Sequence, residues 1–168
     1  MSDTYQGDLH LFSPAVQYDF SSAHVVVVSG DGINACGHML LNTNGRHGWY
    51  FHVASLRDYP RYMGYDGYQR YLKENGKTEL GFFYKHVPNE SAARVKLAEL
   101  LGKKWLWGVL PHNCVAFVEE VLQAGGSSFG LLSNCPALEV SANEWEAQID
   151  EIKRSTTDEA LMRYFMSR

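Results

Sequence analysis

Two apolar segments separated by an Asn-Gly pair restrict the possible folds of this chain more than any other feature. Gly37–Asn42 reads GHMLLN and Trp49–Ala54 reads WYFHVA, and both have the composition of buried strands. Asn44 and Gly45 lie between them, and this dipeptide readily adopts the positive φ angles of a tight hairpin turn. The pattern therefore predicts two antiparallel strands joined by a short turn.

Other segments extend this pattern in both directions along the chain. His24–Ser29 reads HVVVVS, a β-branched run typical of a buried strand, and Leu80–Val87 predicts a fourth strand. Ser91–Leu101 follows the candidate N-cap Asn89 and has helical apolar spacing, as does Asn113–Ala124. Further helices are predicted at Tyr68–Glu74, Ser141–Arg154 and Thr157–Phe165. The predicted fold class is α+β, an antiparallel sheet with helices packed on one side.

Length and composition predict one ordinary globular domain. The chain has 168 residues, enough for a single domain over residues 1–168 with a sizeable core. Hydrophobic residues make up 45% and charged residues 20%, which argues against a disordered chain. The net charge is −4 and the lysines and arginines are scattered, so a nucleic-acid partner is not expected.

Neither a membrane span nor a secretory signal is predicted. No segment approaches the ~18 to 20 consecutive apolar residues that a spanning helix requires. Met1–Phe12 contains two aspartates and lacks a basic stretch followed by an apolar one. The prediction is a protein made in the cytoplasm, which a specialised secretion system must deliver if it acts elsewhere.

Three cysteines, Cys36, Cys114 and Cys135, offer candidate thiols. Their odd number and wide spacing predict neither a disulfide framework nor a CxxC metal site, and no cofactor is expected. One of them is then a candidate functional thiol. The alternative is that all three are small buried hydrophobic residues, a common situation for free cysteines.

Cys114 is the most informative of the three because it is predicted to lie in the first turn of a helix, directly after Asn113. The unpaired N–H groups and partial positive charge of a helix N-terminus stabilise a thiolate, so a lowered thiol pKa is expected. The same N–H groups can hold an oxyanion. The alternative is that Cys114 is simply the first apolar residue of an amphipathic helix.

A cysteine nucleophile requires a base, and two of the seven histidines are placed to act together. His38 and His52 occupy near-mirror positions on the predicted hairpin, within cross-strand reach. One could accept the thiol proton while the other holds its ring. Alternatively, they are two unrelated histidines of the sheet. His112, two residues before Cys114, could modulate the thiol.

Three segments, in order, resemble the permuted papain-like branch of the NlpC-type cell-wall amidases, which includes the lecithin:retinol acyltransferase-like proteins. Gly37–Leu41 is similar to the strand that carries the family's catalytic histidine. Trp49–Ala54 is similar to the next strand, which carries a polar third residue. Asn113–Val118 is similar to the Asn-Cys helix start. The resemblance extends over roughly His24 to Gly126.

This resemblance implies a cysteine amidase or endopeptidase. Cys114 would be the nucleophile, His38 the base and His52 its orienting partner, with Asn113 and His112 contributing to the oxyanion or substrate site. The implied substrate is a peptide crosslink of bacterial peptidoglycan. The implied context is an antibacterial toxin, such as a type VI secretion effector, delivered to the periplasm of a target cell and blocked by a cognate immunity protein.

Two alternatives remain open at this point. With the same chemistry, the enzyme could hydrolyse or transfer a lipid acyl group. A different class is a catalytically silent binding module that retains the fold. Five tyrosines would then form a ligand or partner face, although they could equally line a surface loop and helix; they are Tyr59, Tyr62, Tyr65, Tyr68 and Tyr71.

Overall fold

The computed structural model describes residues 18–30, 36–53, 57–106 and 114–127. Within these ranges the fold is α+β, with a five-stranded antiparallel sheet and three α-helices. The strands are β1 (His24–Val28), β2 (His38–Thr43), β3 (Trp49–His52), β4 (Arg57–Asp58), β5 (Arg61–Met63), β6 (Glu79–Tyr84) and β7 (Trp105–Leu106). The helices are α1 (Tyr65–Glu74), α2 (Glu90–Leu101) and α3 (Cys114–Ala124).

The predicted hairpin is present and forms the middle of the main sheet. The strand order is β5-β3-β2-β1-β6, while β4 and β7 form a separate two-stranded ladder. Asn44 and Gly45 have φ angles of 64° and 73°, as the tight turn requires. The side-chain amide of Asn42 donates hydrogen bonds to the carbonyl oxygens of Gly45, at 2.9 Å, and Trp49, at 3.2 Å. The turn therefore fixes the register of β2 against β3.

The two faces of the sheet bury different side chains, as strand alternation requires. Met39 and Leu41 of β2 pack in a cluster with α2 and α3, whereas Leu40 packs with residues of α1. Val25–Val28 of β1 are fully buried, so neither face of that strand is exposed to solvent. Helices cover both faces of the sheet, and the prediction that they pack on one side is therefore wrong.

Helix α1 covers the second face through its tyrosines. The Tyr68 ring stacks on Tyr50, with centroids 4.0 Å apart, and its hydroxyl donates to Glu79 Oε2 at 2.9 Å. Tyr71 is 6% exposed. The interpretation of the tyrosines as a surface loop and helix is therefore wrong for Tyr68 and Tyr71, although Tyr59 is exposed.

The two helices on the first face agree with the sequence pattern. The Asn89 side chain caps α2 by accepting from the Ala92 amide at 3.1 Å. α3 buries Phe117 and four further apolar side chains in the core: Val115, Val118, Val121 and Leu122. Gly125 follows the last residue of the helix, and a Cβ there would come 2.4 Å from Cγ1 of Val87, so only glycine fits.

The predicted helices Ser141–Arg154 and Thr157–Phe165 lie outside the described residues. Of the helices in the described ranges, none has the length and apolar character needed to cross a membrane.

Candidate functional site

The hairpin brings His38 and His52 into direct contact. Leu41 pairs with Phe51, and this register sets His38 diagonally opposite His52 on the same face of the sheet. Nε2 of His38 lies 2.8 Å from Nδ1 of His52, a hydrogen-bonding distance. The proximity predicted from their mirror positions is present in the structure.

The histidine pair is largely shielded from water. His52 is 2% exposed and its ring contacts Tyr71, with centroids 5.3 Å apart. Nε2 of His52 is buried without a hydrogen-bond partner. His38 is half-buried at the start of β2. Because a buried imidazolium loses its hydration, this environment favours the neutral form of both rings.

The pKa values of both histidines are lowered accordingly. Burial, with a smaller contribution from the nearby positive charge of Lys77, lowers the pKa of His38 from 6.5 to about 4. Burial, His38 and Arg61 together hold the pKa of His52 well below its ordinary value. At neutral pH both rings are therefore uncharged and available as hydrogen-bond acceptors.

A hydrogen bond between two neutral imidazoles requires one N–H donor and one lone-pair acceptor. If His38 donates from Nε2 to Nδ1 of His52, then Nδ1 of His38 carries a lone pair. The opposite arrangement puts a proton on Nδ1 of His38 and removes its capacity to act as a base there. Only the first tautomer is compatible with proton abstraction by Nδ1 of His38.

Cys114 begins α3 and is the free cysteine of the described residues. Backbone N–H groups of Met39, Val115 and Cys114 itself lie close enough to the thiol to favour its ionised form. The Met39 amide belongs to the peptide unit that follows His38, so the thiol lies near the backbone of β2 at that point. The N–H groups of Cys114 and Val115 are the unpaired donors expected in the first turn of a helix.

Burial raises the pKa of the Cys114 thiol and outweighs the opposing effect of these backbone donors. The side chain is only 6% exposed and packs in the core cluster with Met39. The expectation of a lowered thiol pKa is therefore wrong for this state of the protein. Loss of hydration disfavours the thiolate more than the helix N-terminus favours it.

Cys114 and the two histidines approach β2 from different sides. Cys114 packs with Met39 on the face covered by α2 and α3, whereas His52 contacts Tyr71 on the face covered by α1. In the ranges that the structure describes, no hydrogen bond joins the Cys114 thiol to the His38 ring. The structure thus brings the two histidines together and places the Cys114 thiol next to the backbone of β2.

Two further predicted site residues, His112 and Asn113, lie outside the described residues. Their predicted contribution to an oxyanion or substrate site remains a prediction. The backbone N–H of Cys114 is the described group that can serve as an oxyanion donor, because it belongs to the first turn of α3.

The prediction that the cysteines form no disulfide is wrong for Cys36. It is disulfide-bonded, while Cys114 is free. The third cysteine, Cys135, lies outside the described residues. An odd count allows one bridge and one free thiol, and wide spacing in sequence does not prevent contact in the fold. The bridge lies two residues before His38, separated from it by the buried Gly37 at φ 74°.

The sequence pattern did not single out two basic residues beside the histidine pair. Arg61 is the β5 residue that pairs with His52, and Lys77 donates from Nζ to the carbonyl oxygen of Ser29 at 3.3 Å. The alternation of side chains along Arg61–Met63 could have predicted that Arg61 and His52 share one face of the sheet. No sequence signal relates Lys77 to His38. Across the four described ranges, no group of three acidic, histidine or cysteine side chains could hold a metal ion.

Comparisons with models of known families, with curated proteins and with solved structures found no match to this chain.

Proposed function

We propose that the protein is a cysteine hydrolase with Cys114 as nucleophile, His38 as base and His52 as the residue that orients His38. The observation that carries the proposal is that the Cys114 thiol lies near the Met39 amide, next in sequence to His38, whose ring is hydrogen-bonded to His52. Because the thiol packs on the α2 and α3 side of β2, proton transfer requires one of the two side chains to turn towards the other. A free thiol at a helix start, next to an imidazole held by a second group, has the parts of a nucleophile–base–orienter arrangement.

The lowered pKa of His38 and the raised pKa of Cys114 favour a neutral thiol–imidazole pair in the resting enzyme. Nδ1 of His38 accepts the thiol proton as Sγ bonds to the carbonyl carbon of an amide. The backbone N–H of Cys114 stabilises the oxyanion. The C–N bond then breaks, His38 returns the proton to the departing amine, and a thioester forms. Water, deprotonated by His38, hydrolyses the thioester and regenerates the thiol.

His52 supports this cycle through its hydrogen bond. When His38 carries the extra proton, its Nε2–H donates to Nδ1 of His52, and this interaction stabilises the imidazolium. The bond also fixes the orientation of the His38 ring. A second histidine is a weaker partner than a carboxylate, because it carries no negative charge to offset the imidazolium.

We propose in addition that the fold is a permuted papain-like domain. A histidine strand that precedes a helix beginning with cysteine has the order of that branch, and β2, β3 and α3 provide those elements. The proposed substrate is a peptide crosslink of bacterial peptidoglycan, supported by the three motifs of the resemblance. Acyl transfer to or from a lipid would use the same residues, and the substrate distinguishes that activity from peptide hydrolysis.

We propose further that the protein acts in the periplasm of a target bacterium as a delivered toxin, for example by type VI secretion, with an immunity protein that binds the Cys114 region. The disulfide of Cys36 supports an extracytoplasmic site of action. Structural disulfides persist in oxidising compartments such as the periplasm and are rare in the cytoplasm.

Reduction is expected to destabilise the protein, because the Cys36 bridge restrains the chain directly before β2. Loss of a native disulfide from a small domain costs about 2–5 kcal/mol. Thermal unfolding with and without a phosphine reductant measures the effect, and Cys36→Ser should reproduce the lower Tm. Cys114→Ser serves as the control, since that cysteine is free and its Tm should still fall on reduction. An unchanged Tm after complete reduction contradicts a structural role for the bridge.

Digestion of purified peptidoglycan tests the proposed function directly. Mass spectrometry of the soluble products should show a new amine and a new carboxylate at one peptide bond. A selective thiol probe should block this activity by labelling Cys114. If the protein binds peptidoglycan but releases no product, the silent binding module is the better description, and the burial of Cys114 would then be its permanent state.

A further inference from the structure

The first two residues of β2 each contribute to the proposed site. The His38 ring is hydrogen-bonded to His52 at 2.8 Å, and the Met39 amide lies near the Cys114 thiol. Because hydrogen bonds weaken steeply when their geometry changes, a small shift of this end of the strand alters both arrangements together. The position of the start of β2 is therefore a condition for the proposed chemistry.

Pairing with the neighbouring strands holds this end of β2 mainly from one side. His38 forms the terminal pair of the ladder with β1, where its partner is Val28. The ladder with β3 extends from Leu41 to Thr43, so it begins three residues further along β2. The ends of strands open more readily than their middles, and His38 lies at such an end.

His52, in contrast, is held by several elements. It is buried, it pairs with Arg61 of β5, and its ring contacts Tyr71 of α1. Of the two histidines, His38 is thus the one whose position depends on the end of a strand.

The disulfide of Cys36 is a second restraint on the same end of β2. Cys36 is disulfide-bonded and lies two residues before His38. Gly37, between them, has a φ angle of 74° and no side chain that could anchor it by packing. Glycine has more backbone freedom than any other residue, so without the bridge this junction loses its fixed conformation. The bridge therefore restrains the chain at the point where the ladder with β3 does not.

We propose that formation of the Cys36 disulfide converts the enzyme from an inactive to an active form, because the bridge fixes His38 in its hydrogen bond with His52. This inference rests on the proposed hydrolase function and adds its regulation. Two cysteine thiols form the bridge by exchange with the disulfide of an oxidised dithiol protein, which leaves as the dithiol with two electrons and two protons. Excess glutathione reverses the exchange.

The two described cysteines differ in how readily they can take part in such an exchange. Cys36 is half-buried, and partly exposed disulfides are the ones that exchange with external thiols. The Cys114 side chain is only 6% exposed and its thiol pKa is raised, so it reacts slowly with oxidants and disulfides. The bridge can therefore respond to the redox state of a compartment while the nucleophile stays a thiol.

This difference relates activity to location. The cytoplasm keeps thiols reduced, whereas the periplasm and other extracytoplasmic compartments favour disulfides. The chain is then made in its inactive thiol form and becomes active when it reaches an oxidising compartment.

Amide hydrogen exchange tests the positional step without any need for catalysis. Cys114→Ser protein is compared before and after reduction with a phosphine, so that the bridge is the group that changes. Amides at the start of β2, from His38 to Leu40, should exchange about 10-fold faster or more in the reduced protein. Amides of Asn42 and Thr43, next to the hairpin turn, are the internal control and should be unchanged. Adding Cys36→Ser should give the fast exchange in both redox states.

Hydrolysis of purified peptidoglycan tests the catalytic step. The full chain is assayed oxidised and reduced, well below the Tm of the reduced protein, and circular dichroism establishes that both forms are folded. Reduction should lower the rate by about 100-fold, the usual effect of displacing a catalytic group by about 1 Å. Reoxidation by a dithiol oxidoreductase should restore it. Cys36→Ser, which retains Cys114, should be slow in both states and reveals any direct effect of the reductant.

Equal rates in the two redox states overturn the inference while the hydrolase function stands. Faster exchange along the whole of β2 also overturns it, because the bridge then supports the fold and not His38 in particular. If neither form hydrolyses peptidoglycan, the proposed function fails and hydrogen exchange decides the inference. Faster exchange confined to the start of β2 supports control of His38 by the bridge, and unchanged exchange there overturns it.

Discussion

Replacement of Cys114 by alanine is expected to abolish hydrolysis, with residual activity at least about 1,000-fold below wild type, because the covalent intermediate can no longer form. His38→Ala should lower the rate by about 100- to 10,000-fold, the usual contribution of a positioned base. The double variant should be little worse than Cys114→Ala, since residues that act as a unit are not additive.

The controls for this experiment come from the chain itself. His47 lies exposed in the hairpin turn between β2 and β3, so His47→Ala should retain full activity. His52→Ala should lose less than His38→Ala, because it removes the orienting hydrogen bond and leaves the base in place. Circular dichroism and Tm establish that each variant is folded. Full activity in a folded Cys114→Ala protein would show that the nucleophile lies elsewhere.

Acid is expected to destabilise the fold as the pH falls from about 6.5 towards 4. In that interval the unfolded chain binds protons on His38 and His52 that the folded protein, with its lowered histidine pKa values, does not. Stability gained from the neutral rings is present above pH 6.5 and is lost as the pH decreases. Since one pKa unit corresponds to ~1.4 kcal/mol, the shift of His38 alone contributes up to about 3 kcal/mol at the acid end, and less to the extent that its half-buried ring keeps contact with water.

Urea denaturation at a series of pH values measures this effect. His52→Phe keeps a buried ring beside Tyr71 and removes one of the two titrating groups, so its free energy of unfolding should depend less steeply on pH. His47→Gln, in the exposed turn, should retain the wild-type pH dependence. If His52→Phe and wild type have the same slope between pH 6.5 and 4, burial of the histidine pair is not the source of acid sensitivity.

Local signals made the hairpin and the start of α3 predictable. Asn44 and Gly45 specify a turn whatever surrounds them, and the positions of His38 and His52 about that turn then follow from strand geometry. In the same way, apolar residues at helical spacing predict α3 from Cys114 onward. These features depend on residues close together in sequence.

The features that the sequence did not reveal depend on partners far along the chain. Tyr68 and Tyr71 are buried because Tyr50 and His52 lie beneath them, and tyrosine composition alone is equally compatible with a surface. The pKa of Cys114 follows from the packing of several elements around the thiol, which outweighs the local effect of the helix start. The disulfide of Cys36 likewise depends on the folded path of the chain.

The sheet order has a consequence for the order of folding. β2 and β3 are joined by a short turn, so they can pair within microseconds, and the two histidines meet at that stage. β1 must instead pair with β6, as His24 does with Tyr84. Contacts between residues so far apart in sequence form slowly. Cys114 reaches β2 only when α3 has docked on the nearly complete sheet. We therefore expect nascent and partly folded chains to be inert, because the thiol comes to the strand of its proposed base only when α3 docks.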